Sequence, residues 1–264
     1  MRPEIALHSC DSNPMYLDFW PLVSKVWRLR MGIEPILVYI DENHDIPIDT
    51  TYGRIIKLKP IPGIPTYMHS VWGRFWAATL FPNKVCIVSD IDMFPISKTY
   101  FIKQLQNVPD NKYVHLYSPT SKVNVSIRTR HQLWCSSESI FPVCYHVGKG
   151  ALLASVLKIN PNWESSVRDL ANHSYESKGT HAADAANRPK WGIDEDYTTK
   201  LLNEHPDKSI FYFLSRYHLR LDRGGWIYDP SDIKQDAYGD CHSVRPLSDP
   251  ENRAKVNALL ALLL

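Results

Sequence analysis

Short apolar runs separated by polar turns dominate the first part of the chain. Residues 5–8 and 35–40 have the pattern of two apolar strands. Between them, the apolar spacing of residues 16–31 predicts a helix that ends at Gly32. A strand, a helix and a second strand in this order form a βαβ unit, which is typical of a parallel sheet. The pattern therefore predicts an α/β fold with a mostly parallel central sheet.

The pattern in the rest of the chain predicts further strands and helices and one long connecting segment. Further strands are predicted at 54–58, 84–89, 113–117 and 143–147, and further helices at 71–80 and 151–157. Large apolar residues are rare from Asn160 to Lys190. A connection of this length inside a compact domain is usually functional or disordered, so we interpret it as a loop on the substrate side.

Two acids follow the strand predicted at 84–89, in the sequence VCIVSDIDMFPI. Asp90 and Asp92 would lie close together, which is costly unless a cation offsets their repulsion. Mn²⁺ or Mg²⁺ takes oxygen ligands and commonly links carboxylates to substrate phosphates. Ser9 and Asp41 follow two other predicted strands, and ligands of open parallel sheets gather at this carboxyl edge. The alternative is that both acids are surface turn residues.

Composition and charge limit the partners and the cellular setting. The 264 residues include 30 basic and 28 acidic side chains, a formal net charge of +2 without long single-sign blocks, which predicts neither nucleic acid nor an anionic membrane as the main partner. Five widely spaced cysteines without a CxxC pair indicate neither a disulfide framework nor a zinc finger. The N-terminal residues lack a signal peptide and no apolar stretch is long enough for a transmembrane segment, so we expect a soluble, cytoplasmic protein.

The C-terminal residues ALLALLL are too short to cross a bilayer. Either they form a helix that docks on this domain, or they begin a segment that continues beyond it. In the second case the chain is the N-terminal domain of a longer protein.

One segment resembles a known enzyme family. Residues 70–97, SVWGRFWAATLFPNKVCIVSDIDMFPIS, are similar to the core of metal-dependent, nucleotide-sugar-using glycosyltransferases of the GT-A fold, especially the glycogenin and bacterial galactosyltransferase-like group. The style of the sequence is also similar to glycosyltransferase domains encoded by large algal viruses, which would place the protein in the host cytoplasm. The resemblance implies one GT-A domain over 1–264, with a Rossmann-like nucleotide-binding half at about 1–110 and a mixed acceptor-side half at about 111–250.

The resemblance also implies a donor and metal site. Its metal ligands would be Asp90 and Asp92 together with His242 of the GDCHSVRP segment, and the ion would be Mn²⁺ or Mg²⁺. The residues implied to contact the donor are His8, Ser9, Asp41, Arg74, Asp90, Ile91, Lys149 and Arg245. For Arg74 the alternative is a solvated helix residue. For Lys149, in YHVGKG, the alternative is a structural turn.

On the acceptor side, WGIDEDYTTKLL resembles an acidic motif that opens a helix in this family. In inverting members one acid of the motif removes the acceptor proton, so the implied catalytic residues are Asp194, Glu195 and Asp196. In retaining members the comparable residue lies near the sugar, and simple helix capping explains the acids as well. Trp191 and Trp226 would bind sugar, although Trp226 of RGGW could instead pack in a tight turn.

The expected reaction is transfer of a sugar from a nucleoside diphosphate donor, with a UDP-hexose or related UDP-sugar favoured. The acceptor would be a hydroxyl of a glycan or another molecule, the metal would be required, and the configuration would be inverted. Two alternatives remain open: a metal-dependent nucleotidyltransferase or phosphohydrolase, and a non-catalytic module that binds nucleotide sugars or carbohydrates.

Overall fold

The computed structural model describes residues 1–43, 46–116, 141–176, 192–212, 214 and 218–264. The strands are β1 (Ile5–Asp11), β2 (Glu34–Ile40), β3 (Arg54–Leu58), β4 (Val85–Ser89), β5 (Met93–Pro95), β6 (Tyr113–His115), β7 (Tyr145–Lys149), β8 (Phe211–Tyr212), β9 (Leu219–Asp222) and β10 (Tyr238–His242).

The helices alternate with the strands over much of the chain. They are α1 (Pro14–Leu17), α2 (Trp20–Lys25), α3 (Thr66–Trp76), α4 (Lys98–Phe101), α5 (Gly150–Val156), α6 (Trp163–Glu176), α7 (Ile193–Glu204), α8 (Pro230–Lys234) and α9 (Pro250–Leu263). A π-helical segment, Val26–Met31, continues α2. It ends at Gly32, whose φ of 70° is favourable for glycine and closes the helix as the sequence predicts.

Within the described residues, the main sheet has seven strands in the order β3-β2-β1-β4-β7-β6-β8. The pairs among β3, β2, β1 and β4 are parallel, β7 runs antiparallel to β4 and β6, and β6 and β8 are parallel. A second sheet has the order β5-β10-β9, in which β10 is antiparallel to β5 and parallel to β9. The predicted α/β fold with a mostly parallel sheet is confirmed.

Both faces of the main sheet are covered, so its central strands are buried along nearly their whole length and are mostly apolar. One face packs Ala6 and Ile87 against α2, the π-helical segment, the second sheet and α9. The other face packs Leu7 and Val88 against α3, α5, α6 and α7. Because successive strand residues point to opposite faces, each strand contributes to both cores.

Two helices, α9 and α6, decide the expectations for the C-terminal apolar residues and for the stretch 160–190. The C-terminal apolar residues belong to α9, which buries Val256, Leu259, Leu260 and Leu263 against the main core, so the docking interpretation is confirmed. The interpretation of 160–190 as a loop is wrong for its first half, because α6 occupies Trp163–Glu176, lies against α3 and α7, and buries Val167 and Leu170 in the core. The second half of that stretch, from residue 177, lies outside the described residues.

No helix in the described ranges is both long and apolar enough to cross a membrane.

Candidate active site

The site lies at the carboxyl edge of the central parallel strands. Asp90 follows β4 directly, Asp41 follows β2, and Ser9 lies near the end of β1. The Ser9 hydroxyl donates a hydrogen bond to the Ser70 carbonyl and accepts one from the Arg74 backbone N–H at 3.0 Å. Ser9 therefore fixes helix α3 over the strand ends, which is a structural contact rather than an open donor-binding group.

Arg74 connects two of the predicted motifs. Its Nη1 donates to Oδ1 of Asp90, and its Nη2 donates to Oδ2 of Asp194 at 2.6 Å. Arg74 and Asp194 are both buried, so their contact is shielded from water, whereas the Asp90 side chain remains 30% exposed. The interpretation of Arg74 as a solvated helix residue is therefore wrong. The first acid of the DxD and the acidic helix motif meet on one guanidinium, although they are far apart in the sequence.

Asp194 lies in the first turn of α7, after Gly192 with φ of 92°. Its Oδ1 accepts the Glu195 backbone N–H at 3.0 Å, but the N-cap of the helix is Gly192 and no side chain caps it, so the interpretation of Asp194 as the N-cap is wrong. Burial raises the pKa of Asp194 above its ordinary value, against the opposing effects of Arg74 and of backbone N–H groups. Glu195 and Asp196 are only partly buried.

A second ionic cluster surrounds the other DxD acid. The Asp92 carboxylate lies 3.1 Å from Nη1 of Arg245, and 3.5 Å from both Nε2 of His242 and Nη1 of Arg223. Burial alone would raise the pKa of Asp92, but the hydrogen bond and charge of His242, with Arg245 and Arg223, outweigh it and hold the pKa below its ordinary value. The structure thus gathers Asp92, His242 and Arg245.

Three residues that join this cluster were not predicted from the sequence. Tyr16 accepts a hydrogen bond from Nη1 of Arg245 at 2.8 Å, and its ring lies 5.0 Å below the guanidinium. Asp222 faces Nδ1 of His242 at 3.4 Å, and Arg223 faces Asp92. Of the RGGW segment, the sequence-based prediction concerns only Trp226, whereas the residues that join the cluster are Arg223 and the preceding Asp222.

Two predicted donor contacts do not reach this edge. His8 is 0% exposed and packs between Trp20 and Trp27, with ring centroids at 6.1 Å from each, and burial lowers its pKa to about 3. A direct donor contact by His8 is therefore contradicted by its burial. Lys149 pairs in register with Val85 at the start of β4, at the opposite edge of the sheet, where it faces Asp110 at 3.6 Å. The donor assignment of Lys149 is corrected because β7 runs antiparallel to β4.

The remaining predicted residues have varied positions. Ile91 is buried between the two DxD acids, so its side chain serves the core. Asp41 is half-buried, and its backbone N–H donates to the Leu58 carbonyl at 3.1 Å. Trp226 is partly buried against the main core, as the packing alternative expects. Trp191 lies outside the described residues.

The predicted metal ligands fit a divalent cation in type but not in their present arrangement. Two carboxylates and an imidazole suit Mn²⁺ or Mg²⁺. Among the described residues, however, no three acidic, histidine or cysteine side chains form a group that could hold a metal ion. Asp90 turns to Arg74, while Asp92 and His242 are already adjacent. The negative charge that a cation would neutralise is neutralised here by arginines.

The strand order and the site at the strand ends define the GT-A-like class of fold, and the comparison with solved structures agrees. A crystal structure of the galactosyltransferase LgtC in complex with donor and acceptor sugar analogues matches with a TM-score of 0.51 and 11% identity, over 98% of this chain and 95% of that one. At this identity the likeness shows the fold.

Two other matches are also glycosyltransferases. The apo form of GlyE from Streptococcus pneumoniae TIGR4 has a TM-score of 0.49 and 11% identity, over 99% of this chain and 64% of that one. The bifunctional WbbM has a TM-score of 0.44 and 9% identity, over 93% and 46%. The chain thus spans less than two thirds of the length of GlyE and WbbM. No protein-family model matches the sequence, and no curated protein does.

Proposed function

We propose that this protein is a metal-dependent glycosyltransferase that moves a sugar from a nucleoside diphosphate, with a UDP-sugar favoured, to a hydroxyl of a glycan or another acceptor. The single observation that carries the proposal is the convergence of Asp90, Asp92, Asp194, His242 and Arg245 at one edge of the parallel strands. These residues come from three distant segments, and in GT-A-like folds this edge is where the fold brings ligands together.

The charges of the cluster support a diphosphate leaving group. Arg245 and Arg223 lie beside Asp92, where they can stabilise phosphate oxygens by charge-assisted hydrogen bonds. A cation held by Asp90, Asp92 and His242 would supply further electrostatic stabilisation of the departing diphosphate. Asp90 must then exchange its contact with Arg74 for the cation, which would free one arm of the guanidinium for the donor.

The acidic helix start supports two roles. Asp194 shares Arg74 with Asp90, which favours a position beside the donor sugar. Asp196 is less buried and lies in the same positive end of α7, where the helix dipole stabilises an ionised carboxylate. We assign the general base of an inverting reaction to Asp196, with Glu195 as the alternative. A positioned base of this kind contributes ~10²–10⁴ in rate.

The test is incubation of the purified protein with Mn²⁺ or Mg²⁺ and a panel of nucleotide sugars. Glycosyltransfer predicts release of nucleoside diphosphate, slowly to water and faster with an acceptor. Release of pyrophosphate or monophosphate would instead identify a nucleotidyltransferase or phosphohydrolase, and binding without turnover would identify a binding module.

Variants separate the roles. Asp90→Asn combined with Asp92→Asn should abolish turnover in a folded protein, and undiminished transfer by this variant would refute the proposal. Asp196→Asn should keep donor affinity but lower transfer by ~10² or more if it is the base. The anomeric configuration of the product, read by NMR, decides the stereochemistry: retention would refute inversion and the base assignment, but not glycosyltransfer.

A further inference from the structure

Arg245 contacts the chain through one nitrogen of its guanidinium group. Its Nη1 donates to the Tyr16 hydroxyl at 2.8 Å and to Oδ2 of Asp92 at 3.1 Å. In the described parts of the chain, no hydrogen bond or ion pair uses Nε or Nη2 of Arg245. The side chain is 23% exposed, so a ligand can reach it from solvent.

Tyr16 supports the same guanidinium from below. The centre of its ring lies 5.0 Å from Cζ of Arg245, which is within the range of a cation–π contact. The hydroxyl fixes the direction of Nη1, and the ring limits the tilt of the guanidinium plane. Burial raises the pKa of Tyr16, so its hydroxyl stays protonated and adds no negative charge beside Arg245.

The backbone of α1 holds Tyr16 in turn. The Tyr16 N–H donates to the Asn13 carbonyl, and the Tyr16 carbonyl accepts the Phe19 N–H, both at 3.0 Å. Phe19 is fully buried in the main core, and Asn13 caps α1 by accepting the Met15 N–H at 3.0 Å. Arg245 is therefore supported by a short helix that is anchored to the core 229 positions earlier in the chain.

We propose that Tyr16 is a positioning residue that, together with Asp92, occupies Nη1 of Arg245 and leaves the fork of Nε and Nη2 for bidentate recognition of a donor phosphate. This inference rests on the proposed function, because it assigns the geometry of one contact to the nucleoside diphosphate. The contact itself needs no cation, since every group that makes it belongs to the chain. Tyr16 acts only through Arg245.

The chemistry of the guanidinium group favours a phosphate at this fork. The N–H of Nε and one N–H of Nη2 point in the same direction and match two oxygens of a phosphate. This edge lies opposite Nη1, so it faces away from the carboxylate that Nη1 already contacts. A long side chain that is ordered only on binding costs about 2–10-fold in affinity, and Tyr16 removes this cost by fixing Arg245 beforehand.

The test measures UDP binding by isothermal titration calorimetry, with Mn²⁺ present throughout so that the metal content is constant. Tyr16→Leu removes the ring and the hydroxyl and should weaken UDP binding by about tenfold, whereas Tyr16→Phe removes only the hydroxyl and should weaken it by about 2–5-fold. Uridine has no phosphate, so its binding, read by saturation-transfer NMR, should be unchanged in both variants. If Tyr16→Leu fails to fold, Tyr16→Phe, which keeps the ring, carries the same test.

Two further comparisons isolate the role of Arg245. In the Arg245→Ala background, Tyr16→Leu should cause no further loss, because Tyr16 acts through the guanidinium. Arg245→Lys keeps the charge but has no fork, so it should bind UDP nearly as weakly as Arg245→Ala.

Tyr52→Leu is the matched control. Nζ of Lys25 lies 5.9 Å from the centre of the Tyr52 ring, which is also partly buried, so the pair resembles that of Arg245 and Tyr16. Tyr52 precedes β3 and therefore lies at the opposite edge of the parallel strands. We expect Tyr52→Leu to bind UDP with wild-type affinity.

Several results would overturn the inference while the proposed function stands: unchanged UDP affinity in Tyr16→Leu, an equal further loss in the Arg245→Ala background, or full UDP affinity in Arg245→Lys. Equal losses of UDP and uridine binding would identify Tyr16 as a direct nucleoside contact and would also overturn it. A wild-type protein that binds no UDP would overturn both the inference and the UDP-sugar donor of the proposed function.

Discussion

At the scale of single residues, Arg74 is the cation that organises the site. One guanidinium serves two carboxylates, Asp90 and Asp194, so the group carries a net negative charge. Asp194 is as buried as Arg74, and a buried charge without its partner is costly. The arrangement of both acids, and part of the stability of the fold, therefore depend on this one arginine.

Removing Arg74 should destabilise the fold as well as the site. We expect Arg74→Ala to lower the free energy of unfolding by about 3–5 kcal/mol, because Asp194 loses its counter-charge inside the protein. Arg74→Ala with Asp194→Asn should recover part of this loss. Urea unfolding at pH 7 measures both. Arg54→Ala is the control, since Arg54 pairs with Glu34 on the surface and such pairs contribute about 0–1 kcal/mol. Equal losses in Arg74→Ala and Arg54→Ala would contradict the prediction.

The two buried acids should respond oppositely to pH. The pKa of Asp92 is lowered in the folded protein, so its stabilising contribution is present above the ordinary aspartate value of ~3.9 and disappears as pH falls through the folded pKa. The pKa of Asp194 is raised, so the folded state takes up this proton first and gains stability as pH falls toward ~3.9.

Urea unfolding from pH 7 to pH 3 tests this pair. The stability advantage of wild type over Asp92→Asn should shrink in acid, while the stability of wild type relative to Asp194→Asn should increase. Parallel pH profiles for the three proteins would show that neither pKa differs between the folded and unfolded states.

At the scale of elements, the start of α5 shows how close packing, rather than ligand binding, explains a glycine. Glycines such as those of YHVGKG can let the backbone approach a ligand, or they can let two segments of backbone pack closely. In the structure the Gly150 N–H donates to the Lys84 carbonyl at 2.9 Å. A Cβ at this position would lie 2.3 Å from the Ala78 carbonyl oxygen and 2.4 Å from that of Phe81. The helix can begin here only because the side chain is absent.

Gly150→Ala should therefore destabilise the fold by about 1–3 kcal/mol or more. The added Cβ would clash with backbone atoms, which cannot rotate out of the way as a side chain can. Thermal unfolding measures the effect. Gly225→Ala is the control, since a Cβ there meets nothing within 4 Å, and its melting temperature should stay close to that of wild type. Donor affinity of the folded fraction should be unchanged in Gly150→Ala. A Gly150→Ala protein of wild-type stability that loses donor binding would restore the ligand interpretation.

At the scale of the whole molecule, local signals predicted the fold better than they predicted the site. The first βαβ unit and the position of the acids after β4 could be predicted, because apolar runs and the residues that end them are visible in the sequence itself. The polar helix α6 was missed because only a few spaced apolar residues, among them Val167 and Leu170, mark its buried face. The residues of β7 do not indicate in which direction the strand runs, so Lys149 was assigned to the carboxyl edge of the parallel strands, which is the wrong edge.

Contacts between segments that are distant in the chain were even harder to predict from the sequence. Arg74 and Asp194 are separated by 120 positions, and only the packing of α7 beside α3 brings them together. Asp222 meets His242 because β9 and β10 pair in one register. Segments that the resemblance selected meet in this cluster, but packing decides which residue contacts which.

The two edges of the sheet provide the last prediction. Arg245 lies at the carboxyl edge beside Asp92, whereas Lys149 lies at the opposite edge beside Asp110. If the donor diphosphate binds beside Asp92, Arg245→Ala should weaken UDP binding in the presence of Mn²⁺ by about tenfold or more, since a hydrogen bond to a charged group contributes about 1.5–3 kcal/mol. Lys149→Ala removes the same charge from the same domain and should change the affinity less than about twofold, because nothing at that edge would touch the nucleotide. Isothermal titration calorimetry of both variants measures the difference, and added salt should leave the ranking unchanged. Weaker binding in Lys149→Ala with normal binding in Arg245→Ala would place the donor at the opposite edge and separate the ionic cluster from nucleotide recognition.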